Sequence, residues 1–204
     1  MVRTANEACA LIVEAIGLAG YNAAPGSVTL ALDAAASEWV SPEGGYVMPK
    51  SGKSMTARQL ITYWKGLVSR FPIVSIEDGV GENDWESWTQ LTASLGKQIM
   101  LVGDDLFVTD PARVMRGIEL GAANAVLIKP NQIGTLSDVF EAVRAARRGG
   151  YRVIMSHRSG ETEDNILADL AVAAGADFIK SGAPARAERT AKYNRLLAIE
   201  NELQ

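Results

Sequence analysis

Residues 151–165 read Tyr151-Arg152-Val153-Ile154-Met155-Ser156-His157-Arg158-Ser159-Gly160-Glu161-Thr162-Glu163-Asp164-Asn165. Tyr151 to Met155 is a short β-like run, and a helix-like run follows from Asn165 to Ala174. Between them lies a polar corner with the chain's only histidine, an arginine, two serines and a glycine. Such a corner suits an anion. A guanidinium binds oxyanions bidentately, hydroxyls donate, and a helix N-terminus offers N–H groups with no internal partner. A plainer reading is a polar loop with a capping box, Ser159 with Thr162 and Glu163 opening the helix. The rest of the chain bears on the choice, because the same strand–corner–helix unit recurs along it.

Working outward, Asn6 to Gly20 places Ala8, Leu11, Ile12, Ala15, Ile16 and Ala19 at helical spacing. Val28 to Leu32 is a short apolar run ending on Asp33, and Gly44 to Val47 reads as part of an inserted hairpin. Thr56 is the expected N-cap of a helix to Ser69, with Leu60, Tyr63, Trp64 and Leu67 on one face. Ile73 to Ile76 is a strand ending on Glu77 and Asp78. Asp84 to Leu95 is a helix striped by Trp85, Trp88 and Leu91 and stopped by Gly96. Ile99 to Val102 is a strand ending on Gly103-Asp104-Asp105, and Asp110-Pro111 opens a helix to Leu120. Ala125 to Ile128 is a strand ending on Lys129, and Leu136 to Arg148 is a helix. After the opening stretch come a strand at Phe178-Ile179, ending on Lys180, and a last helix from Ala187 to Leu203. The strands are short, apolar on both faces and rich in Val and Ile. They alternate with helices about six times over, which predicts an α/β fold with a buried parallel sheet and right-handed crossovers. No linker or low-complexity segment breaks the pattern, so residues 1–204 are expected to form one domain.

Each predicted strand delivers a charged group at its C-terminal end: Asp33, Glu77, Asp104, Lys129, the His157-Arg158-Ser159 group and Lys180. In a parallel α/β barrel that end is where sites are built. Taken singly, a charge after a strand is usually a solvated loop residue; the common address of all of them is what carries weight. Asp33, Glu77 and Asp104 repel one another unless a cation lies between them, and hard oxygen ligands suit Mg²⁺. Lys129 and Lys180 follow neighbouring later strands. A lysine close to another cation can have its pKa lowered enough to act as a base, although structural salt bridges to the carboxylates are the alternative.

Composition narrows the class. The chain has 204 residues, is 48% hydrophobic, and so can bury a large core. A formal net charge of −4 without a basic stripe argues against nucleic acid as a partner. The one cysteine, Cys9, excludes an intrachain disulfide and fits a reducing cytoplasm. No apolar run approaches a membrane span, and the start lacks a basic stretch followed by an apolar one.

Several blocks then carry a family resemblance. Ser75-Ile76-Glu77-Asp78, Leu101-Val102-Gly103-Asp104-Asp105-Leu106, Ile128-Lys129-Pro130-Asn131-Gln132-Ile133-Gly134, the stretch Ser156 to Asp164, and Ala191-Lys192-Tyr193-Asn194 resemble, in order and spacing, the signature blocks of enolase, the phosphopyruvate hydratase of glycolysis. The likeness runs from Asn6 to Leu203. Pro130 stands where many enolases have Val, which leaves Lys129 in place. The resemblance implies a (βα)6 portion of an enolase-type TIM-like barrel, without the N-terminal capping domain and the first two barrel strands. It implies Mg²⁺ ligation by Asp33, Glu77 and Asp104, the last two also facing the substrate. It makes Lys129 the base that takes the C2 proton of 2-phosphoglycerate. Arg158 and Ser159 become phosphate contacts and His157 a member of the same loop. Lys180 becomes a contact of the substrate carboxylate.

The resemblance also puts the family's serine loop, a loop histidine and the Gly-Asp-Glu-Gly-Gly loop with its general acid outside these residues. An incomplete barrel leaves sheet edges near Val28–Leu32 and Phe178–Lys180, so a homo-oligomer, dimer or higher, is expected. The substrate pair implied is 2-phosphoglycerate and phosphoenolpyruvate. Two other readings stay open: an enzyme acting on a related phosphorylated or phosphonylated carboxylate, and a non-catalytic binding module. A cytoplasmic location is expected, with the cell surface as a further site known for the family.

Overall fold

The structure, a computed structural model, describes residues 2–204. These group into two compact units, Met1–Leu106 with Leu120–Asn124 and Phe107–Glu119 with Ala125–Gln204.

The first unit opens with α1 (Ala5–Leu18), capped by Thr4, whose hydroxyl accepts the Glu7 N–H. Its periodicity predicts a face containing Leu11 and Ile12, yet these are 53% and 49% exposed, and Cys9 and Ile16 are the buried positions. The helix is apolar on more than one side, so spacing alone does not select the inward face. After α1 come β1 (Leu30–Asp33), a 3₁₀ turn (Ala36–Trp39) and the expected hairpin, β2 (Tyr46–Val47) antiparallel to β3 (Ser54–Met55). The Tyr46 hydroxyl fastens the hairpin to a loop further along the chain, at residues 81–84. It donates to Asp84 Oδ2 at 2.8 Å and accepts the Gly81 N–H at 3.0 Å.

α2 (Ala57–Val68) starts on Thr56 as expected, in a full capping box with Gln59. Leu60, Ile61, Trp64 and Leu67 are its buried face. Each such side chain contributes about 1.5–3 kcal/mol by burial. Trp64 stacks on Trp39 with ring centroids 5.9 Å apart, and its indole N–H donates to Gly79 O at 2.7 Å. β4 (Ile73–Glu77), α3 (Trp85–Leu95) and β5 (Met100–Gly103) complete the unit. Asp84 caps α3 by accepting the Ser87 N–H, and Gly96 ends it. β1, β4 and β5 run parallel, with Asp33 beside Glu77 and Glu77 beside Val102. The register therefore aligns Asp33 with Glu77, and Asp104 follows two residues beyond the partner of Glu77.

The second unit holds α4 (Pro111–Leu120, its last residue grouped with the first unit), β6 (Ala125–Ile128), α5 (Pro130–Ile133), α6 (Leu136–Arg148), β7 (Arg152–Ser156), α7 (Ile166–Ala173), β8 (Phe178–Lys180) and α8 (Ala187–Glu202). The strand–helix alternation expected from the sequence is present, and β6 is buried at every position. β6, β7 and β8 are parallel, with Ile128 beside Met155 and Ser156 beside Lys180. Two local expectations change. A short α5 follows Lys129 directly, because Pro130 at its first position presets a helical φ and lacks only an N–H that would have no partner there. The capping box at Ser159 does not form. α7 begins after Asn165 without a side-chain cap, and Glu161 instead accepts the Arg158 N–H at 2.9 Å. Among the described residues no helix is long and apolar enough to cross a membrane.

Candidate functional site

In the first unit the carboxylates sit where the strands end. Asp33 closes β1 and is exposed, Glu77 closes β4 at 6% exposure, and Asp104 follows β5 at 8%. Strand register makes Asp33 and Glu77 neighbours. Asp78 and Asp105, one residue beyond Glu77 and Asp104, change the picture. Asp78, Asp104 and Asp105 each present a carboxylate oxygen, all within 4.8 Å of one another. Asp104 is the member this cluster shares with the trio expected from sequence.

Asp78 is the hub. Its backbone has φ 43°, a left-handed conformation that Asp tolerates better than most residues. This turn brings its carboxylate to the backbone of the next strand end, where it accepts the Asp104 N–H at 3.0 Å and the Asp105 N–H at 2.8 Å. Burial pushes its pKa up to about 7; the two N–H donors pull it down, and the charges of Asp104 and Asp105 push it up. Three packed carboxylates are all hard oxygen donors, and a divalent cation would relieve their repulsion. The donor set fits such an ion. The sequence offered a signal for this arrangement, the doubled Glu77-Asp78 and Asp104-Asp105.

In the second unit the strand ends are basic. The Lys129 N–H donates to Thr109 Oγ1 at 3.0 Å, and that hydroxyl donates to Gln132 Oε1 at 3.1 Å. Thr109 is fully buried with φ 59°, and nothing in the sequence pattern singled it out. The His157 N–H donates to Lys180 O at 2.9 Å, so the corner after β7 is stitched to the end of β8. Arg158 reaches Asn131 Oδ1 in α5 at 3.1 Å. His157, Arg158, Ser159 and Lys180 thus share one set of strand ends, and the Arg158–Asn131 bond ties this group to α5, the stretch that follows Lys129.

Two residues of α8 complete the corner. Lys192, 1% exposed, donates to Thr162 O at 2.6 Å and Glu188 O at 2.8 Å, and pairs with Glu161 Oε2 at 2.7 Å. Those three acceptors use all three of its protons. Arg189 bonds the carbonyls of Arg158 and Ser159, each at 3.1 Å, and meets His157 Nδ1. Burial works to raise the Glu161 pKa, but Lys192 and the Arg158 N–H outweigh it and hold the carboxyl low.

A family model described as "Enolase, C-terminal TIM barrel domain" matches residues 1–204. The enolase of Wolinella succinogenes is 51% identical over 203 residues, which is 99% of this chain and 48% of that protein. The enolase of Acidothermus cellulolyticus is 54% identical over 198 residues, 97% of this chain and 45% of that protein. The chain spans about half the length of the curated relatives it matches. With acidic strand ends in one unit, basic ones in the other, and a match along its whole length, this chain belongs to the enolase family and carries that family's C-terminal TIM-barrel domain.

Proposed function

We propose that these residues serve an enolase-type lyase of glycolysis, acting in the cytoplasm, that interconverts 2-phosphoglycerate and phosphoenolpyruvate with Mg²⁺. The observation that carries the reading is the sorting of charge at the strand ends, carboxylates in the first unit and Lys129, Arg158 and Lys180 in the second.

Asp33, Glu77 and Asp104 are the proposed holders of Mg²⁺, with Asp78 orienting Asp104 through its N–H. Bound there, the ion would act as a Lewis acid toward the substrate carboxylate. Lys129 takes the proton from C2. Its backbone is fixed by Thr109, so the side chain starts from a set position. Lys180 faces the carboxylate, where negative charge builds as the proton leaves, and an ammonium at that point lowers the barrier. Arg158 grips the phosphoryl group through its guanidinium, with Ser159 donating beside it.

The test follows the proton. 2-Phosphoglycerate in D₂O with Mg²⁺ and the 204-residue chain should exchange its C2 proton slowly by NMR, and Lys129→Ala should abolish the exchange. Dehydration should lag, because the family's general acid is expected outside these residues and such help is worth about 10²–10⁴-fold. Undiminished exchange in Lys129→Ala would remove Lys129 as the base.

A further inference from the structure

We infer that helix α8 is a positioning clamp for the anion corner, with Arg189 and Lys192 holding residues 157–162 in the conformation that presents Arg158 and Ser159 to an oxyanion. The inference rests on the reading of those two residues as the phosphate contacts and adds what fixes them.

The clamp begins in sequence spacing. Arg189, Lys192 and Tyr193 stand at i, i+3 and i+4, which puts them on one face of α8. Each crosses to a loop about thirty or ten residues earlier in the chain. Arg189 takes the carbonyls of Arg158 and Ser159, Lys192 takes Thr162 O and Glu161, and the Tyr193 hydroxyl donates to Gly182 O in the loop after β8. Gly182 has to be small. Its φ is +80°, and a Cβ there would meet Arg189 Cδ at 3.0 Å and His157 Cε1 at 3.3 Å. The loop after β8 is thereby cut to let the arginine pass.

The geometry has a chemical result. A trans peptide points its C=O and the next N–H in opposite directions. With the carbonyls of Arg158 and Ser159 held by Arg189, the N–H groups of Ser159 and Gly160 turn away from α8. Both residues are exposed, and neither N–H donates to a protein acceptor among the described residues. The corner therefore offers two backbone donors next to the Arg158 guanidinium and the Ser159 hydroxyl, a set suited to a phosphate. Burying Lys192 and half-burying Arg189 in α8 is costly unless each is well paired. Their partners here are mainly loop carbonyls and one loop carboxylate, so the helix spends that cost on the shape of the loop.

Arg189→Lys separates a clamp from a simple charge. It keeps the cation but loses the planar fork that spans two carbonyls. The experiment titrates inorganic phosphate, followed by ³¹P NMR, into the wild-type chain, Arg189→Lys and Lys192→Met, with amide hydrogen exchange on each. The clamp predicts phosphate affinity about tenfold or more weaker in Arg189→Lys, as for loss of one charge-assisted bond. It also predicts faster exchange confined to residues 157–163, with β6 and β7 unchanged. If Lys192→Met does not fold, Glu161→Gln removes the same ion pair and should speed the same amides. Wild-type affinity and wild-type loop exchange in Arg189→Lys overturn the clamp. A wild-type chain that ignores phosphate overturns the anion reading instead, and loop exchange still decides the clamp.

Discussion

His157 lies against Arg189, and burial lowers its pKa below 6.5. The Arg189 charge adds to this, Glu161 opposes it, and Lys180 and Lys192 add again. In the unfolded chain the ring titrates near its ordinary value. Between the two pKa values the unfolded state holds more protons, so stability rises with pH there. This contribution is complete above about pH 6.5 and is lost as pH falls toward the folded value. Asp78 has the opposite sign. Its raised pKa makes the folded state the better proton binder, so its contribution is present at low pH and lost as pH climbs through about 7. Because His157 is the only histidine, ring NMR reads it without assignment. We expect an apparent pKa below 6.5 and a flatter pH dependence of melting just under that value in His157→Gln. A ring titrating at or above 6.5 would remove the effect. At this scale the sequence was legible where a residue's neighbours in space are its neighbours in the chain. His157, Arg158 and Lys129 announce themselves at strand ends. Arg189 does not, and Lys192 stands out only within the Ala191–Asn194 block that carries the family resemblance, since the partners of both are about thirty residues away.

Elements are tied together by polar side chains at the strand starts as well as at the strand ends. Asn124, just before β6, accepts the Leu101 N–H at 2.7 Å and donates to Gly96 O at 2.9 Å and Ile99 O at 3.0 Å. One side chain thereby closes the end of α3, the entry to β5 and the turn after α4. Leu101 is fully buried, so its N–H loses its partner once Asn124 is shortened. Asn124→Ala should cost about 1–3 kcal/mol by leaving a buried donor without its partner. Urea denaturation measures it, and a change within error would mean that a water replaces the amide. Strands and most helices were readable from apolar runs, Pro and Gly. α5 was not, since four residues after a lysine show no periodicity. The expected capping box drew on Ser159, Thr162 and Glu163, but α7 starts only after Asn165, and Glu161 turns to Arg158 and Lys192.

At the scale of the molecule, the carboxylates proposed to hold the cation all belong to the first unit. A ligand that binds only the folded form stabilises it by mass action, about 2.7 kcal/mol at a hundredfold excess over its Kd. For a chain of this size that is a rise in melting temperature of roughly 5–10 °C. Mg²⁺ should therefore shift the transition that contains the first unit, and Asp104→Ala should erase the shift while leaving the fold. A melt indifferent to Mg²⁺ would dismiss the cation site. The sequence placed acids and bases at strand ends but not their grouping into two units, because compactness is a property of contacts distant in the chain. The aromatic core described for the first unit has an optical consequence. All four tryptophans, Trp39, Trp64, Trp85 and Trp88, lie in that unit, while the second has tyrosine and phenylalanine as its aromatic residues. Excited at the red edge, the chain emits from one half only, so its intrinsic fluorescence is a private channel to the half that holds the acids, and the half that holds the bases stays dark.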